Sequence, residues 1–225
     1  KWLDQIKKWK QEHPLVMRPN DVLSPMDILK EINNQFENSI IVTDVGQHQM
    51  LVSQYAEVTE GKQMIMSGGL GTMGYGLPGG IGAKIGNPDR PVIVISGDGG
   101  VQMNIQELAT AVLEELPVIL CIFNNEYLGM VRQWQDLFYG QRYSQTVLND
   151  RVDFAKVAEG LGAKGYTVST CEEFDNAVKE AIELNIPVVI DAQIDKDDKV
   201  FPMVAPGAPI SECFGEEDVA EKFGR

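Results

Sequence analysis

Short runs of β-branched and aliphatic residues alternate along the chain with longer stretches in which apolar residues recur every three or four positions. Short runs of this kind predict buried parallel strands, and the longer spacing predicts amphipathic helices. The predicted strands are Ile40–Val42, Met64–Met66, Val92–Ile95, Val118–Phe123, Ala163–Val168 and Pro187–Ala192. Because strands and helices alternate throughout, we expect a doubly wound α/β domain: a six-stranded, mainly parallel sheet with helices on both faces.

The usual end signals predict where the helices between these strands begin and stop. Ser24 followed by Pro25 predicts a helix start, because serine caps a helix N-terminus and proline suits the first helical position. Pro117 ends another helix. The predicted helices span 1–12, 25–36, a segment around 81–85, 105–116, 126–138, 154–161 and 172–184. We expect a linker at 14–20, a polar loop at 140–149 and an irregular, proline-containing tail from Asp195.

Charge and cysteine usage narrow the class of protein. The chain carries 33 acidic against 19 Lys and Arg residues, a formal net charge of −14, which argues against nucleic acid or an anionic membrane as a partner. No apolar run approaches the roughly 20 residues of a membrane-spanning helix. Cys121, Cys171 and Cys213 are widely spaced and form no CxxC pair, which is typical of reduced thiols in a cytoplasmic protein.

Polar residues follow two of the central strands at the points where those strands end. Ser96-Gly97-Asp98-Gly99-Gly100 follows one apolar run, and Asn124-Asn125 follows the next. Ligands of open α/β sheets bind beyond the carboxyl ends of the strands, so Asp98 and Asn125 should converge there. Their oxygens suit Mg²⁺ or Ca²⁺, and because they carry little charge together, a phosphorylated ligand is implied. The alternative is a tight turn with an Asx cap and no ligand.

The spacing of these residues carries a resemblance to a known family. Gly97-Asp98-Gly99, followed after 24 residues by Asn124-Asn125, resembles the signature of thiamine diphosphate enzymes. The resemblance implies that Asp98, Asn125 and the backbone carbonyl of Tyr127 hold Mg²⁺ against the diphosphate of the cofactor.

Longer stretches resemble one branch of these enzymes, the catalytic large subunit of acetolactate synthase (acetohydroxyacid synthase). They are TDVGQHQM (43–50), SGGLGTMGYGLP (67–78), QMNIQEL (102–108), NNEYLGMVRQWQDLFYGQRYSQT (124–146) and VFPMVAPGA (200–208). The resemblance implies a C-terminal, diphosphate-binding domain at 21–194, preceded at 1–20 by a helix and linker that leave a middle domain, and followed by the tail at 195–225. In the full-length enzyme that middle domain would bind FAD, and an N-terminal domain would bind the pyrimidine ring of the cofactor.

The resemblance also implies roles for individual residues. Met73 would act in catalysis as an apolar wedge beneath the thiazolium ring, and the Gly71 carbonyl would accept a hydrogen bond from the aminopyrimidine. The turn at 46–48 would contact the diphosphate, and Met130, Val131 and Trp134 would line a substrate channel. The implied cofactor contacts are Gly46, Gln47, His48, Gly71, Met73, Gly97, Asp98, Gly99, Gly100, Asn125, Tyr127, Leu128, Gly129 and Met130. Without the resemblance, Met73 would be interpreted as core filler. Core packing is the alternative for the channel residues, and a surface turn residue is the alternative for His48.

The activity that the resemblance implies is the decarboxylative condensation of pyruvate with pyruvate or with 2-oxobutyrate, in branched-chain amino acid biosynthesis. The full-length enzyme would be a cytoplasmic homodimer or tetramer, with a small regulatory subunit as a further partner. Its catalytic Glu would lie outside this chain, so the chain alone should be inactive. Two alternatives stay open: another thiamine diphosphate-dependent 2-oxo acid decarboxylase or oxidase, and a non-catalytic nucleotide-binding domain of the same fold.

Overall fold

All six strands in the described residues form one sheet, in which each neighbouring pair is parallel. The computed structural model describes residues 1–15, 22–59, 61, 63–148 and 152–224. The strands are β1 (Ile40–Thr43), β2 (Gln63–Met66), β3 (Val92–Gly97), β4 (Val118–Asn124), β5 (Lys164–Val168) and β6 (Val188–Gln193). Their order across the sheet is β2-β1-β3-β4-β6-β5. The predicted six-stranded sheet is confirmed.

Helices connect these strands and cover both faces of the sheet. They are α1 (Trp2–Glu12), α2 (Pro25–Gln35), α3 (Gln47–Tyr55), α4 (Gly76–Gly86), α5 (Asp98–Asn104), α6 (Glu107–Leu113), α7 (Gly129–Phe138), α8 (Phe154–Gly160), α9 (Cys171–Leu184) and α10 (Val219–Phe223). The predicted cap of α2 is present, because the Ser24 side chain accepts a hydrogen bond from the Asp27 backbone N–H at 3.1 Å. None of the helices in the described ranges is long and apolar enough to cross a membrane.

Alternation along the strands divides the core into two apolar layers. In β3, Ile93 and Ile95 belong to one buried cluster, and Val92 and Val94 belong to the other. The first cluster includes buried residues of α2, α3 and α9, and the second includes residues of α4, α6 and α8. Burying each large aliphatic side chain stabilises the fold by about 1.5–3 kcal/mol. The predicted helices on both faces are therefore confirmed.

Several predicted element boundaries are wrong, each for a local reason. The helix predicted from 126 begins at Gly129, since Glu126 has a left-handed φ of 62° and its N–H bonds to the Asn124 side chain instead of a helix carbonyl. The helix predicted at 105–116 is shorter and spans Glu107–Leu113, and a separate helix that was not predicted begins at Asp98 and ends at Asn104. Residues 46–48 were expected to form a turn, but Gln47 begins α3.

The tail was expected to be irregular, yet it contains a 3₁₀ turn at Ile210–Glu212 and the helix α10. Its phenylalanines form an apolar cluster with α7, in which Phe214 packs edge-on against Phe138, Phe201 and Phe223. This burial explains why a proline-containing segment is ordered. The linker predicted at 14–20 lies, from residue 16 onward, outside the described residues, as does residue 149 of the polar loop. The division into domains stays a prediction.

Candidate functional site

A cleft of about 290 Å³ opens at the carboxyl edge of β1, β3 and β4, where the sequence predicts a ligand. All of the predicted cofactor contacts line this cleft, from Gly46 to Met130. The other lining residues are Pro25, Val45, Leu51, Phe123, Val131, Ile194, Asp195 and Asp198. The fold thus brings together residues that lie more than eighty positions apart in the sequence.

Asp98 and Asn125 lie on the two central strand ends, and both face this cleft. Asp98 is 4% exposed, and its Oδ1 accepts a hydrogen bond from the Gly99 N–H at 3.1 Å. Burial raises the pKa of the Asp98 carboxyl from 3.8 to about 7, and backbone hydrogen bonds only partly oppose this rise. A bound cation would remove the cost of keeping this carboxylate ionised away from water.

Asn125 and Tyr127 fit the second part of the predicted metal site. The Tyr127 N–H donates to Asn125 Oδ1 at 3.1 Å, which fixes the side chain and leaves a lone pair of that oxygen for a ligand. Within the described residues, no group of three or more His, Cys, Asp or Glu side chains is arranged to hold a metal. A metal ion here would therefore take one carboxylate, an amide oxygen and a carbonyl from the chain, and would need phosphate or water for the rest.

Some of the glycines in the cleft lie close to the side chains of His48 and Met73. A Cβ at Gly97 would lie 3.0 Å from His48 Nδ1, and a Cβ at Gly46 would lie 2.9 Å from His48 Cε1. A Cβ at Gly99 would lie 3.1 Å from Met73 Cε. These glycines therefore leave space for side chains of the cleft itself.

His48 is a buried histidine with a free ring nitrogen. Its side chain is 6% exposed, and no described residue bonds to its Nε2 atom. Burial lowers the pKa of His48 from 6.5 to about 4, although the charge of Asp44 and a hydrogen bond to the Asp44 carbonyl act in the opposite direction. His48 is therefore neutral near pH 7. An unpartnered buried nitrogen lining a cleft is an available contact for a polar atom of a ligand.

Lowering the pH should destabilise the fold through His48. The folded state binds this proton with a pKa of about 4, against 6.5 for an ordinary histidine, so the unfolded state takes up more protons between these values. The contribution is favourable above pH 6.5 and is lost as the pH falls toward 4, by up to about 3 kcal/mol. We expect His48→Gln to reduce this pH dependence, measured as the free energy of unfolding in urea across that range.

The other histidine provides the matched control. His13 is exposed, and His13→Gln should leave the pH profile as it is in the parent protein. Burial raises the pKa values of Asp98 and Asp191 to about 7 and about 6. Their contributions to the free energy of unfolding have the opposite sign, because the stability that they add is lost as the pH rises. They are common to all three proteins, so the difference isolates His48. Identical profiles for parent and His48→Gln would contradict the prediction.

Asp44 holds together segments next to the cleft, a role that the sequence interpretation missed. It is 1% exposed, and its Oδ1 accepts hydrogen bonds from the N–H groups of Val45 at 2.6 Å and Gly74 at 2.8 Å. Ser96 Oγ donates to its Oδ2 at 3.2 Å. Asp44 thus connects the ends of β1 and β3 to the glycine-rich loop. An acidic residue directly after a buried strand was the available signal.

Met73 and Gly71 lie on the glycine-rich loop at the wall of the cleft. Gly71 has a φ of +71°, and Met73 is half-buried with its methyl group near Gly99. The alternative interpretation of Met73 as core filler is not supported, because the side chain faces the cleft instead of the apolar layers. Its catalytic role remains a prediction.

The three predicted channel residues lie on α7, where the cleft continues into an apolar groove of about 650 Å³. Met130 and Val131 border both spaces, and Trp134 borders the groove with Gln135, Tyr139 and Arg142. Trp134 packs edge-on against Phe138 with ring centroids 5.5 Å apart, and Val131 is 47% exposed. None of the three is fully buried, so they are accessible to a ligand from the cleft.

Gln133, on the inner side of α7, connects the cleft to the tail, and sequence reasoning missed it. Gln133 Oε1 accepts hydrogen bonds from Gln47 Nε2 at 2.7 Å and from the Val200 N–H at 2.9 Å. Its Nε2 donates to the Val200 carbonyl at 2.9 Å. A polar residue at a buried helix position was the only sequence signal, and its partners are distant in the chain.

A parallel doubly wound sheet with a glycine-rich cleft beyond its central strands defines a cofactor-binding α/β domain. Residues 44–192 match the model of the family described as "Thiamine pyrophosphate enzyme, C-terminal TPP binding domain". The chain belongs to this family, and the membership supports thiamine diphosphate (thiamine pyrophosphate) as its cofactor. The predicted resemblance to thiamine diphosphate enzymes is confirmed.

Curated relatives carry the narrower name that the sequence suggested. The acetolactate synthase large subunit of Pyropia yezoensis is 43% identical over 216 residues, which are 95% of this chain and 36% of that protein. The mitochondrial acetolactate synthase catalytic subunit of Saccharomyces cerevisiae is 42% identical over 229 residues, 98% of this chain and 33% of that protein. The chain thus spans about a third of the length of these relatives.

A solved structure supports the fold. The thiamine diphosphate-dependent 4-hydroxybenzoylformate decarboxylase of Rhodococcus jostii matches with a TM-score of 0.73 and 25% sequence identity. The match covers 80% of this chain and 34% of the decarboxylase chain. The fold therefore recurs in enzymes with different reactions, and it does not by itself identify the reaction of this protein.

Proposed function

We propose that this domain binds the diphosphate of thiamine diphosphate through Mg²⁺ and contributes half of the active site of an acetolactate synthase. The proposed reaction is the decarboxylative condensation of pyruvate with pyruvate or 2-oxobutyrate, in branched-chain amino acid biosynthesis. The observation that carries the proposal is the meeting of Asp98, Asn125 and Tyr127 in one cleft with the free ring nitrogen of His48. The names of the relatives, at 42–43% identity, support the narrower activity.

The residues of the cleft divide the work of holding the cofactor. Asp98, Asn125 and the Tyr127 carbonyl would hold the metal ion. The negative charge of the diphosphate would favour protonation of His48, whose Nε2 would then donate a hydrogen bond to a diphosphate oxygen. Met73 and Gly71 would contact the rings. When bound, thiamine diphosphate supplies the electron sink for loss of CO₂ from a 2-oxo acid. The apolar wall formed by Met130, Val131 and Trp134 would exclude water and orient the second substrate.

Other parts of the proposal concern the whole enzyme. The proton-transferring Glu that the resemblance implies belongs to the N-terminal domain of a neighbouring subunit, so we propose a homodimer or tetramer. FAD in a middle domain, a small regulatory subunit and a cytoplasmic location complete the proposal. Each follows from the resemblance alone.

Calorimetry and a product assay on the full-length protein test the proposal in two steps. Thiamine diphosphate should bind in the presence of Mg²⁺ and not in the presence of EDTA, and NAD should not bind. With pyruvate, the product should be 2-acetolactate. Failure of thiamine diphosphate to bind would contradict the cofactor assignment, whereas acetaldehyde or acetyl phosphate as the product would favour the decarboxylase or oxidase alternative.

Trp134→Leu should lower the preference of the full-length enzyme for 2-oxobutyrate over pyruvate as second substrate. The indole borders the groove that continues from the cleft, where it can contact the extra methyl group of 2-oxobutyrate. One methylene in an apolar pocket is worth about 1–3 kcal/mol, so we expect the preference to fall roughly tenfold. The ratio of 2-aceto-2-hydroxybutyrate to 2-acetolactate, from mixed substrates, measures the effect.

Trp9→Leu is the matched control, because Trp9 is 46% exposed on α1 and is not among the residues that line the cleft or the groove. Thiamine diphosphate affinity should be nearly unchanged in both variants, since the proposed metal ligands are intact. An unchanged product ratio in a folded, cofactor-loaded Trp134→Leu enzyme would mean that this side chain has a packing role only.

A further inference from the structure

A buried carboxylate lies directly behind the predicted metal site. Asp191 is in β6, is 2% exposed, and pairs in register with Ile122 of β4. Asn124, at the end of β4, is 7% exposed and donates a hydrogen bond from Nδ2 to Asp191 Oδ1 at 2.9 Å. Burying a carboxylate costs several kcal/mol unless hydrogen bonds compensate, so its presence in a sheet core calls for a specific reason.

The Asn124 side chain connects this carboxylate to the turn that carries the proposed metal ligands. While Nδ2 is held by Asp191, Asn124 Oδ1 accepts a hydrogen bond from the Glu126 N–H at 3.2 Å. Glu126 then adopts a left-handed φ of 62°, and the next N–H, that of Tyr127, donates to Asn125 Oδ1 at 3.1 Å. The orientation of Asn124 is therefore transmitted to Asn125, one of the three residues whose oxygens would contact Mg²⁺.

Backbone and side-chain hydrogen bonds together hold this turn. The Ile194 N–H donates to the Asn124 carbonyl at 2.9 Å, and the Leu148 N–H donates to the Glu126 carbonyl at 2.8 Å. Between them, the N–H groups of Glu126 and Tyr127 bond to the side chains of Asn124 and Asn125. Backbone bonds thus hold two carbonyls of the turn, whereas two of its N–H groups are held by amide side chains, of which Asn124 is fixed by Asp191.

We propose that Asp191 is a positioning residue that, through Asn124, fixes the turn at 124–127 and thereby sets the Asn125 side chain for Mg²⁺. The direction of the Asn124 amide is determined by Asp191, because a carboxylate accepts hydrogen bonds and donates none. The part of this inference that concerns Mg²⁺ rests on the proposed function. The part that concerns the turn rests on the hydrogen bonds alone.

Hydrogen exchange of the metal-free protein tests the turn without any cofactor. Asp191→Ala should speed amide exchange at Glu126 and Tyr127 at least tenfold, because Asn124 loses its anchor. Asp191→Asn keeps an acceptor oxygen for Asn124 Nδ2 and should restore slow exchange. Val189→Ala is the matched control: it truncates a fully buried residue two positions away on the same strand, and Val189 is paired in register with Leu120, four positions before Asn124. Equal exchange at these amides in Asp191→Ala and Val189→Ala would overturn the proposal.

Calorimetry of Mg²⁺ binding to the full-length protein with thiamine diphosphate tests the consequence. Loss of a residue that orients metal ligands typically costs 10–100-fold in metal affinity, and we expect Asp191→Ala to weaken Mg²⁺ in this range. Val189→Ala should stay near the parent value. Weak or absent Mg²⁺ binding by the parent protein would contradict the proposed function, whereas parent-like affinity in Asp191→Ala would overturn the inference alone.

If Asp191→Ala does not fold, Asn124→Ala deletes the same hydrogen bond from its other partner. It should give the same faster exchange at Glu126 and Tyr127. Slow exchange at these amides in a folded Asn124→Ala protein would equally overturn the proposal, because the proposed effect of Asp191 on the turn passes through Asn124.

Discussion

Asp98→Ala in the full-length protein should abolish Mg²⁺-dependent binding of thiamine diphosphate. Asp98 is the only one of the three proposed metal ligands that carries a charge. Without it, an amide oxygen and a backbone carbonyl would be the only protein ligands of Mg²⁺, and they would not offset the cost of removing water from the ion. The diphosphate would then lose its bridge to the sheet. Calorimetry with thiamine diphosphate at saturating Mg²⁺ measures the effect, and we expect affinity to fall at least a hundredfold.

Glu107→Ala is the matched control for Asp98→Ala, since it removes the same charge from a half-buried position that does not line the cleft, where the carboxylate accepts a hydrogen bond from the Thr110 hydroxyl. Cofactor affinity should be unchanged in that variant. Thermal unfolding without Mg²⁺ or cofactor should show that Asp98→Ala folds as the parent does, because it removes a carboxyl whose burial raises its pKa to about 7. Retained cofactor affinity in a folded Asp98→Ala protein would contradict the metal assignment.

The sheet and the cleft residues were predictable because the signals for both are local. A buried parallel strand is recognised from its own apolar run, and Asp98 and Asn125 each directly follow such a run. Because parallel strands present their carboxyl ends on one edge, the two residues could be placed together without knowing the strand order. Their roles in the cleft came from the resemblance and not from this geometry.

Structure was needed where the signal is not local. Asp44, Gln133 and Asp191 are buried polar residues whose partners lie 30, 67 and 67 positions away, and the sequence of each neighbourhood shows only a polar residue beside apolar ones. The helix α3 was missed because its sequence, QHQMLVSQY, is mostly polar at its start and lacks an amphipathic pattern. Buried polar networks of this kind escape any interpretation based on hydrophobic periodicity.

Gly165→Ala should destabilise the protein strongly, although the substitution adds one methyl group far from the proposed metal ligands. Gly165 lies in the edge strand β5 beneath α8, and a Cβ there would lie 2.3 Å from the Ala155 carbonyl oxygen and 2.6 Å from its Cα. Both are backbone atoms, so no side-chain rotation can relieve the overlap, and α8 would have to move away from the sheet. We expect a loss of about 3 kcal/mol or more, at the upper end for overpacking.

Gly160→Ala provides the comparison within the same pair of elements. Gly160 ends α8, it is exposed, and no heavy atom lies within 4 Å of the position that its Cβ would take. This variant should be neutral or more stable by up to about 1 kcal/mol, because alanine has less conformational freedom to lose on folding. Thermal unfolding midpoints measure both, and Gly165→Ala should fall by roughly 6 °C or more. A Gly165→Ala midpoint equal to that of Gly160→Ala would mean that α8 can shift without cost, and the close packing of helix on strand would then contribute little to the fold.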